Sequence, residues 1–213
     1  NTVKVGYGAE YSIILSDGTR VFLNSGSDMT FPSKFAGNTR EITVSGEVYM
    51  EVAPDPDVPF LVHTGGQSIR VLGTSFNISY YPDDEFIETT VLSGSVEIST
   101  GKNTVTVVPG QMSRIDKKTL DIEMKEVYAD MTMAWTTGLF VFFNEPFEKI
   151  CQKFSRWYNV PIVIKSPYLK VLKYSGVIKR YNTFNEITEL IMSTEEVVFE
   201  ETPEGIEARQ IKR

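Results

Sequence analysis

Residues 40–52 read Arg-Glu-Ile-Thr-Val-Ser-Gly-Glu-Val-Tyr-Met-Glu-Val, and Ile42, Val44, Val48, Met50 and Val52 keep to alternate positions. Side chains on a strand point to opposite faces in turn, so this spacing describes a strand with one buried face. The same period continues outward in Ile69 with Val71, Phe76 with Ile78 and Tyr80, and Val105 with Val107. Upstream, Tyr11 to Leu15 and Arg20 to Leu23 flank Ser16-Asp17-Gly18-Thr19. Asp-Gly between two β-prone runs predicts a tight hairpin. Breaks at Pro54-Asp55-Pro56-Asp57, Gly65-Gly66, Pro82-Asp83-Asp84, Gly101-Lys102-Asn103 and Pro109-Gly110 have the spacing of an all-β sandwich, barrel or strand-rich solenoid. No helix is needed before about residue 128. Ser45-Gly46-Glu47-Val48 and Ser93-Gly94-Ser95-Val96, 48 residues apart, each read as the opening of a strand. They are either the marks of two equivalent halves or two uses of a common turn pair.

Beyond residue 128 the apolar period lengthens to 3.6. Phe147, Ile150, Cys151, Phe154 and Trp157 recur at helical spacing after Pro146, and Asn159-Val160-Pro161 ends the run. The strand-like Leu139–Phe143 precedes this helix and Ile162–Ile164 follows it, which predicts a β-α-β unit. Thr183-Phe184-Asn185-Glu186 has the Thr-x-x-Glu form of a capping box and opens a second helix with Phe184, Ile187, Leu190 and Ile191 as its stripe. Phe147 and Phe184, Ile150 and Ile187, Phe154 and Ile191, Val160 and Val197, and Ile162 and Phe199 are each 37 residues apart. An internal β-α-β repeat follows. Pro203-Glu204-Gly205 is the expected turn of a closing hairpin that ends near Ile211. The expected organisation is a mainly β, antiparallel-rich domain over residues 1–128 and a small α+β domain with two β-α-β repeats over residues 129–213, the boundary lying between Asp121 and Thr137.

The 213 residues carry 41% hydrophobic and 23% charged side chains, the balance of a folded chain. The longest apolar run, Leu139 to Phe143, is far below the roughly 20 residues of a membrane-spanning helix. The sequence opens with Asn1 rather than Met, nothing near it has the basic and apolar segments of a secretory signal, and the expectation is a piece of a longer protein. Net charge is -7, which disfavours nucleic acid as a partner because phosphate neutralisation needs a basic face. The excess acid lies wholly before Ala129. After it, Lys149, Lys153, Arg156, Lys165, Lys170, Lys173, Lys179 and Arg180 form a run without an acid, and eight glutamates from Glu186 to Glu207 follow without a base. Such segregation either polarises a surface toward a charged protein partner or is cancelled by pairing in the fold.

One Cys and one His exclude disulfide frameworks, two-Cys zinc sites and HExxH metalloenzymes. His63, alone in Pro59–Thr64, reads as a structural or surface residue. Cys151, beside Ile150 on an apolar helical face, reads as a buried inert thiol. Asp55/Asp57 and Asp83-Asp84-Glu85 offer hard oxygen ligands for Ca2+ but lack EF-hand spacing, so solvated turn carboxylates are the better reading. No acid pair is singled out for a glycosidase. No G-x-G-x-x-G or P-loop spacing provides a phosphate cradle, and no cofactor is expected. Trp135, Trp157 and Tyr158 have the planar surfaces a carbohydrate-binding module would use, although Trp157 continues an apolar helical stripe.

Several ordered blocks resemble one family. Leu15–Asn24, Arg40–Val52 with its Gly46-Glu47-Val48-Tyr49, Pro59–Thr64, Val71-Leu72-Gly73-Thr74-Ser75-Phe76-Asn77-Ile78, Gly94-Ser95-Val96 and Pro109-Gly110-Gln111 are similar to the periplasmic region of FecR-type anti-sigma factors. Trp135–Leu139 and Arg156–Val160 resemble the companion domain of Bacteroidetes members, itself similar to the short signalling domain of secretins and TonB-dependent receptors. Met50 stands where an aromatic is usual and Phe22 where Trp is common. The resemblance implies a non-enzymatic signalling role. A TonB-dependent outer-membrane transporter would present its N-terminal signalling domain to this region, and the signal would cross the inner membrane to an extracytoplasmic-function sigma factor. The sigma-binding cytoplasmic segment and the single membrane helix of the family are not in this sequence, which implies the periplasmic part of a single-pass inner-membrane protein. The expected docking element is an open sheet edge of the second domain with Lys165, Lys170, Lys173, Lys179 and Arg180. A periplasmic carbohydrate-binding module is the alternative.

Overall fold

The computed structural model describes residues 1–211. Its first unit, Asn1–Met133, holds β1 (Thr2–Lys4), β2 (Tyr11–Ile14), β3 (Arg20–Leu23), β4 (Asp28–Thr30), β5 (Arg40–Glu51), β6 (Phe60–Thr64), β7 (Gln67–Val71), β8 (Ser75–Tyr80), β9 (Phe86–Ser93), β10 (Val96–Ser99), β11 (Thr104–Val107), β12 (Gln111–Asp116) and β13 (Ile122–Glu126). A short helix, α1 (Ala129–Met133), ends it.

The long strand β5 belongs to two sheets. Its first half pairs with β4 and β6, and from Gly46 onward it pairs with β3 and β8. The order β5-β6-β7-β10-β11 continues one side, and β5-β8-β9-β12-β13 continues the other. All these pairings are antiparallel except β5 with β6. Gly46 makes the change of sheet possible: its φ is +91°, and a Cβ there would stand 2.6 Å from the Ser27 Cα. The Ser-Gly echo is therefore not a pair of strand openings. Gly46 lies inside a strand, whereas Gly94, φ +77°, turns the chain between β9 and β10.

Alternation places Ile42, Val44, Val48 and Met50 of β5 in one core with Phe60, Val62, Ile69, Val71, Phe76, Ile78, Ile87, Val91, Val96 and Ile98. Each such side chain contributes about 1.5–3 kcal/mol by leaving water. The hairpin at Ser16–Thr19 forms as expected. Leu15 N–H donates to Thr19 O at 2.8 Å, and Asp17 accepts from both the amide and the hydroxyl of Thr19.

The second unit begins at Ala134. After a 3-10 turn at Ala134–Thr137 come β14 (Leu139–Pro146), α2 (Phe147–Tyr158), β15 (Ile162–Ile164), α3 (Pro167–Val171), β16 (Lys173–Lys179), α4 (Phe184–Met192), β17 (Val197–Thr202) and β18 (Gly205–Gln210). The expected repeat is visible as β14-α2-β15 and β16-α4-β17. Its first strands pair with each other, antiparallel, and β15 and β17 both flank β18. The capping box closes as read: Glu186 N–H donates to Thr183 Oγ1, and Thr183 N–H to Glu186 Oε2 at 2.7 Å. Phe140, Phe142, Phe147, Ile150, Phe154, Leu169, Ile187 and Val197 build a separate core. Phe154 stands at its centre, with ring centroids 5.1 Å from Phe140 and 5.7 Å from Phe142.

Candidate docking surface

In the β14–β16 sheet, Phe140 stands opposite Ile178 and Phe142 opposite Gly176 on the face that meets Phe154. The other face pairs Leu139 with Lys179 and Val141 with Val177. Val177 is 64% exposed, and Phe143, in the bulge between Phe142 and Glu145, is 62% exposed. The result is an apolar two-stranded surface.

The cations of the basic run fare differently. Lys165 pairs with Glu207 at 2.9 Å, because the parallel pairing of β15 and β18 brings the basic and acidic runs together. Arg209 extends that ladder to Glu207 and Glu200. Lys170 pairs with Glu148 at 2.9 Å and Lys153 with Glu145 at 2.7 Å. Much of the segregated charge is thus cancelled in the fold. Lys173 and Lys179, at the two ends of β16, are exposed and have no ion pair among the described residues.

Arg180 departs from the sequence reading. It is 1% exposed, so it cannot serve a docking partner as a surface charge. Its guanidinium lies 3.9 Å from the Trp157 ring centroid and 5.4 Å from that of Phe140, and Nη1 donates to Trp135 O at 3.0 Å. A planar cation with weak hydration is suited to stacking of this kind. The Arg180 carbonyl accepts from Trp157 Nε1–H at 2.7 Å and from the Tyr158 hydroxyl, which also reaches Asn182 O. Both tryptophans are therefore committed to the second unit's interior network.

Burial pushes the Tyr158 phenol up to about 12, with the Arg180 charge opposing the rise. The fold prefers the neutral phenol. Its stabilisation is intact below the ordinary phenol value of 10.0 and is lost as pH rises from there toward about 12, because the unfolded chain ionises first. The melting temperature of the second unit is expected to fall across that window, and Tyr158→Phe to flatten the fall while lowering the starting value. An equally steep fall in the variant would refute the assignment.

The remaining sequence candidates occupy structural places. His63 Nε2 lies 3.4 Å from Glu41 Oε2 on an exposed face. Cys151 is buried, and desolvation raises its thiol pKa. Asp55 Oδ1 accepts from the backbone amides of Asp57 and Val58, which ties up one carboxylate of that loop in its own turn. The apolar face of β14–β16 was not read from the sequence, although the unbroken run Leu139–Phe143 was its signal: a strand apolar on both sides has more than one face to cover.

The family model for the FecR protein matches residues 1–97, and that for the FecR C-terminal region matches residues 139–211. The chain belongs to the FecR family. No curated protein matches it. Two crystal structures, each of a candidate anti-sigma factor from Parabacteroides distasonis ATCC 8503, share the fold. The first superposes with a TM-score of 0.91 at 24% identity, covering 100% of both chains. The second superposes with a TM-score of 0.90 at 25% identity, covering 100% of this chain and 99% of the other. The FecR anti-sigma factor family has a signal-transducing, regulatory role rather than an enzymatic one. Among the described residues, no helix of this FecR-family chain is long and apolar enough to cross a membrane.

Proposed function

We propose that this chain is the periplasmic, signal-receiving part of a transmembrane anti-sigma factor. It takes its signal from the N-terminal signalling domain of a TonB-dependent outer-membrane transporter and regulates an extracytoplasmic-function sigma factor through a cytoplasmic segment outside this sequence. The docking element is the β14–β16 sheet of the second unit. The observation that carries this is the exposed apolar pair Val177 and Phe143, flanked by Lys173 and Lys179, which have no acidic partner among the described residues. A two-stranded sheet also has open edges, to which a partner strand can add through main-chain hydrogen bonds. Lys165 and Lys170 lie outside this sheet, and each is already ion-paired. Such a module works by differential binding: the partner shifts the regulatory equilibrium only by as much as it prefers one state.

The test measures binding of this chain to the signalling domains of the transporters encoded in the same genome. Reversing both Lys173 and Lys179 to Glu is expected to slow association about 10-fold at low salt, with the difference shrinking as salt is added. Reversing Lys165 and Lys170 is expected to do less, since each already has a partner. Unchanged association in the first double variant would defeat the assignment of this face.

A further inference from the structure

Four polar side chains point into the first unit's core and find no hydrogen-bond partner among the described residues. Gln67 is 4% exposed, and neither its Oε1 nor its Nε2 is hydrogen-bonded to any of the described residues. The buried hydroxyls of Thr64, Thr89 and Ser113 are in the same position. Each occupies a place where alternation would put an apolar residue. Thr64 follows Phe60 and Val62 on β6, Gln67 precedes Ile69 on β7, Thr89 lies between Ile87 and Val91 on β9, and Ser113 precedes Ile115 on β12.

The register gathers them into two cross-strand pairs, Thr64 opposite Gln67 and Thr89 opposite Ser113. One pair belongs to each of the two sheets that share the core. The sheets meet at this end. A Cβ on Gly65, in the turn between Thr64 and Gln67, would stand 2.5 Å from Ile87 Cδ1 and 2.9 Å from Tyr80 Cε2. Ile87 is the inward residue next to Thr89 on β9.

A primary amide offers two donors and an acceptor oxygen, and each hydroxyl one donor and an acceptor oxygen. Leaving these groups dry would cost more than placing apolar residues there. The set carries no formal charge, so it suits neither a metal ion nor an anion. Groups that both donate and accept match water, which in protein interiors makes about three hydrogen bonds to groups of this kind. We infer that the first unit binds ordered internal water between its two sheets, held by the Gln67 amide and bridged to the hydroxyls of Thr64, Thr89 and Ser113.

The test uses the isotope-labelled chain and water-to-protein cross-relaxation. A cross-peak between long-lived water and the Gln67 side-chain amide is expected. It should persist in the Thr89→Val, Ser113→Ala double variant, where relay through those two hydroxyl protons is impossible. Gln67→Leu, nearly equal in volume, is expected to melt lower by about 3–6 °C, since the stranded hydroxyls lose their bridge. Thr89→Val on its own should move in the same direction and guards against a failure of Gln67→Leu to fold. Absence of the Gln67 cross-peak overturns the inference, as does a higher melting temperature for either variant, which would mean that the polar atoms were dry.

Discussion

Arg180→Ala is expected to destabilise the second unit by about 3–5 kcal/mol, the range for opening a large cavity in a core or stripping a buried polar network of its centre. The guanidinium is stacked on Trp157, lies near Phe140, and supplies the hydrogen bond to Trp135 O. Alanine would leave that carbonyl and the aromatic surfaces without their common partner. Arg180→Lys should recover little, because an ammonium can neither stack as a plane nor donate from a fork. Trp135 and Trp157 are the chain's 2 tryptophans, so urea unfolding followed by tryptophan fluorescence reads this unit. A midpoint shift worth less than about 1 kcal/mol would show that the stacking has little energetic weight.

Arg40→Ala is expected to have a comparable effect on the first unit, about 3–5 kcal/mol, by breaking a buried ion pair and two further hydrogen bonds. Arg40 is the first residue of β5. Its Nη1 donates to Asp17 Oδ2 and to Ala53 O, each at 2.8 Å, and its Nε to Val58 O at 2.9 Å. The guanidinium also lies 5.3 Å from the Phe60 ring centroid. One side chain thereby joins the first hairpin, the crossing segment after β5 and the parallel strand β6. Thr19 adds a second link, since its hydroxyl donates to Asp17 and accepts from Ala53 N–H. Asp17→Asn, which keeps the shape and removes the charge, should cost less than Arg40→Ala. Far-UV circular dichroism during urea unfolding measures both, because the regular structure of this unit is almost entirely strand. Equal and small losses for the two variants would mean that the pair is not what fastens the crossing.

Local pattern made much of the architecture legible. The Asp17-Gly18 turn, the alternation through Arg40–Val52 and the capping box at Thr183 survive in the structure, since each depends on backbone geometry within a few residues, and the 37-residue spacing survives because it repeats one such local helix pattern. The fate of the basic run was legible only in part. Lys173 and Lys179 are exposed and have no ion pair among the described residues, but Lys165 and Lys170 are paired with Glu207 and Glu148, and Arg180 is inside. The Ser-Gly echo misled because one glycine bends a strand and the other ends one, and identical dipeptides carry no mark of which.

The sequence alone determined the class of each half, the places where the chain must turn and the repeat of the second unit, because periodicity and turn chemistry act over short stretches. It also pointed to the family through ordered blocks. Only the tertiary structure decided the fate of the charges. Nothing in Val177-Ile178-Lys179-Arg180-Tyr181 separates two adjacent cations, one exposed and one buried. The difference arises from Trp157, 23 positions before Arg180, and Trp135, 45 positions before it. A charge enters a core only where distant groups converge to replace its water, and convergence over such separations is a property of the fold.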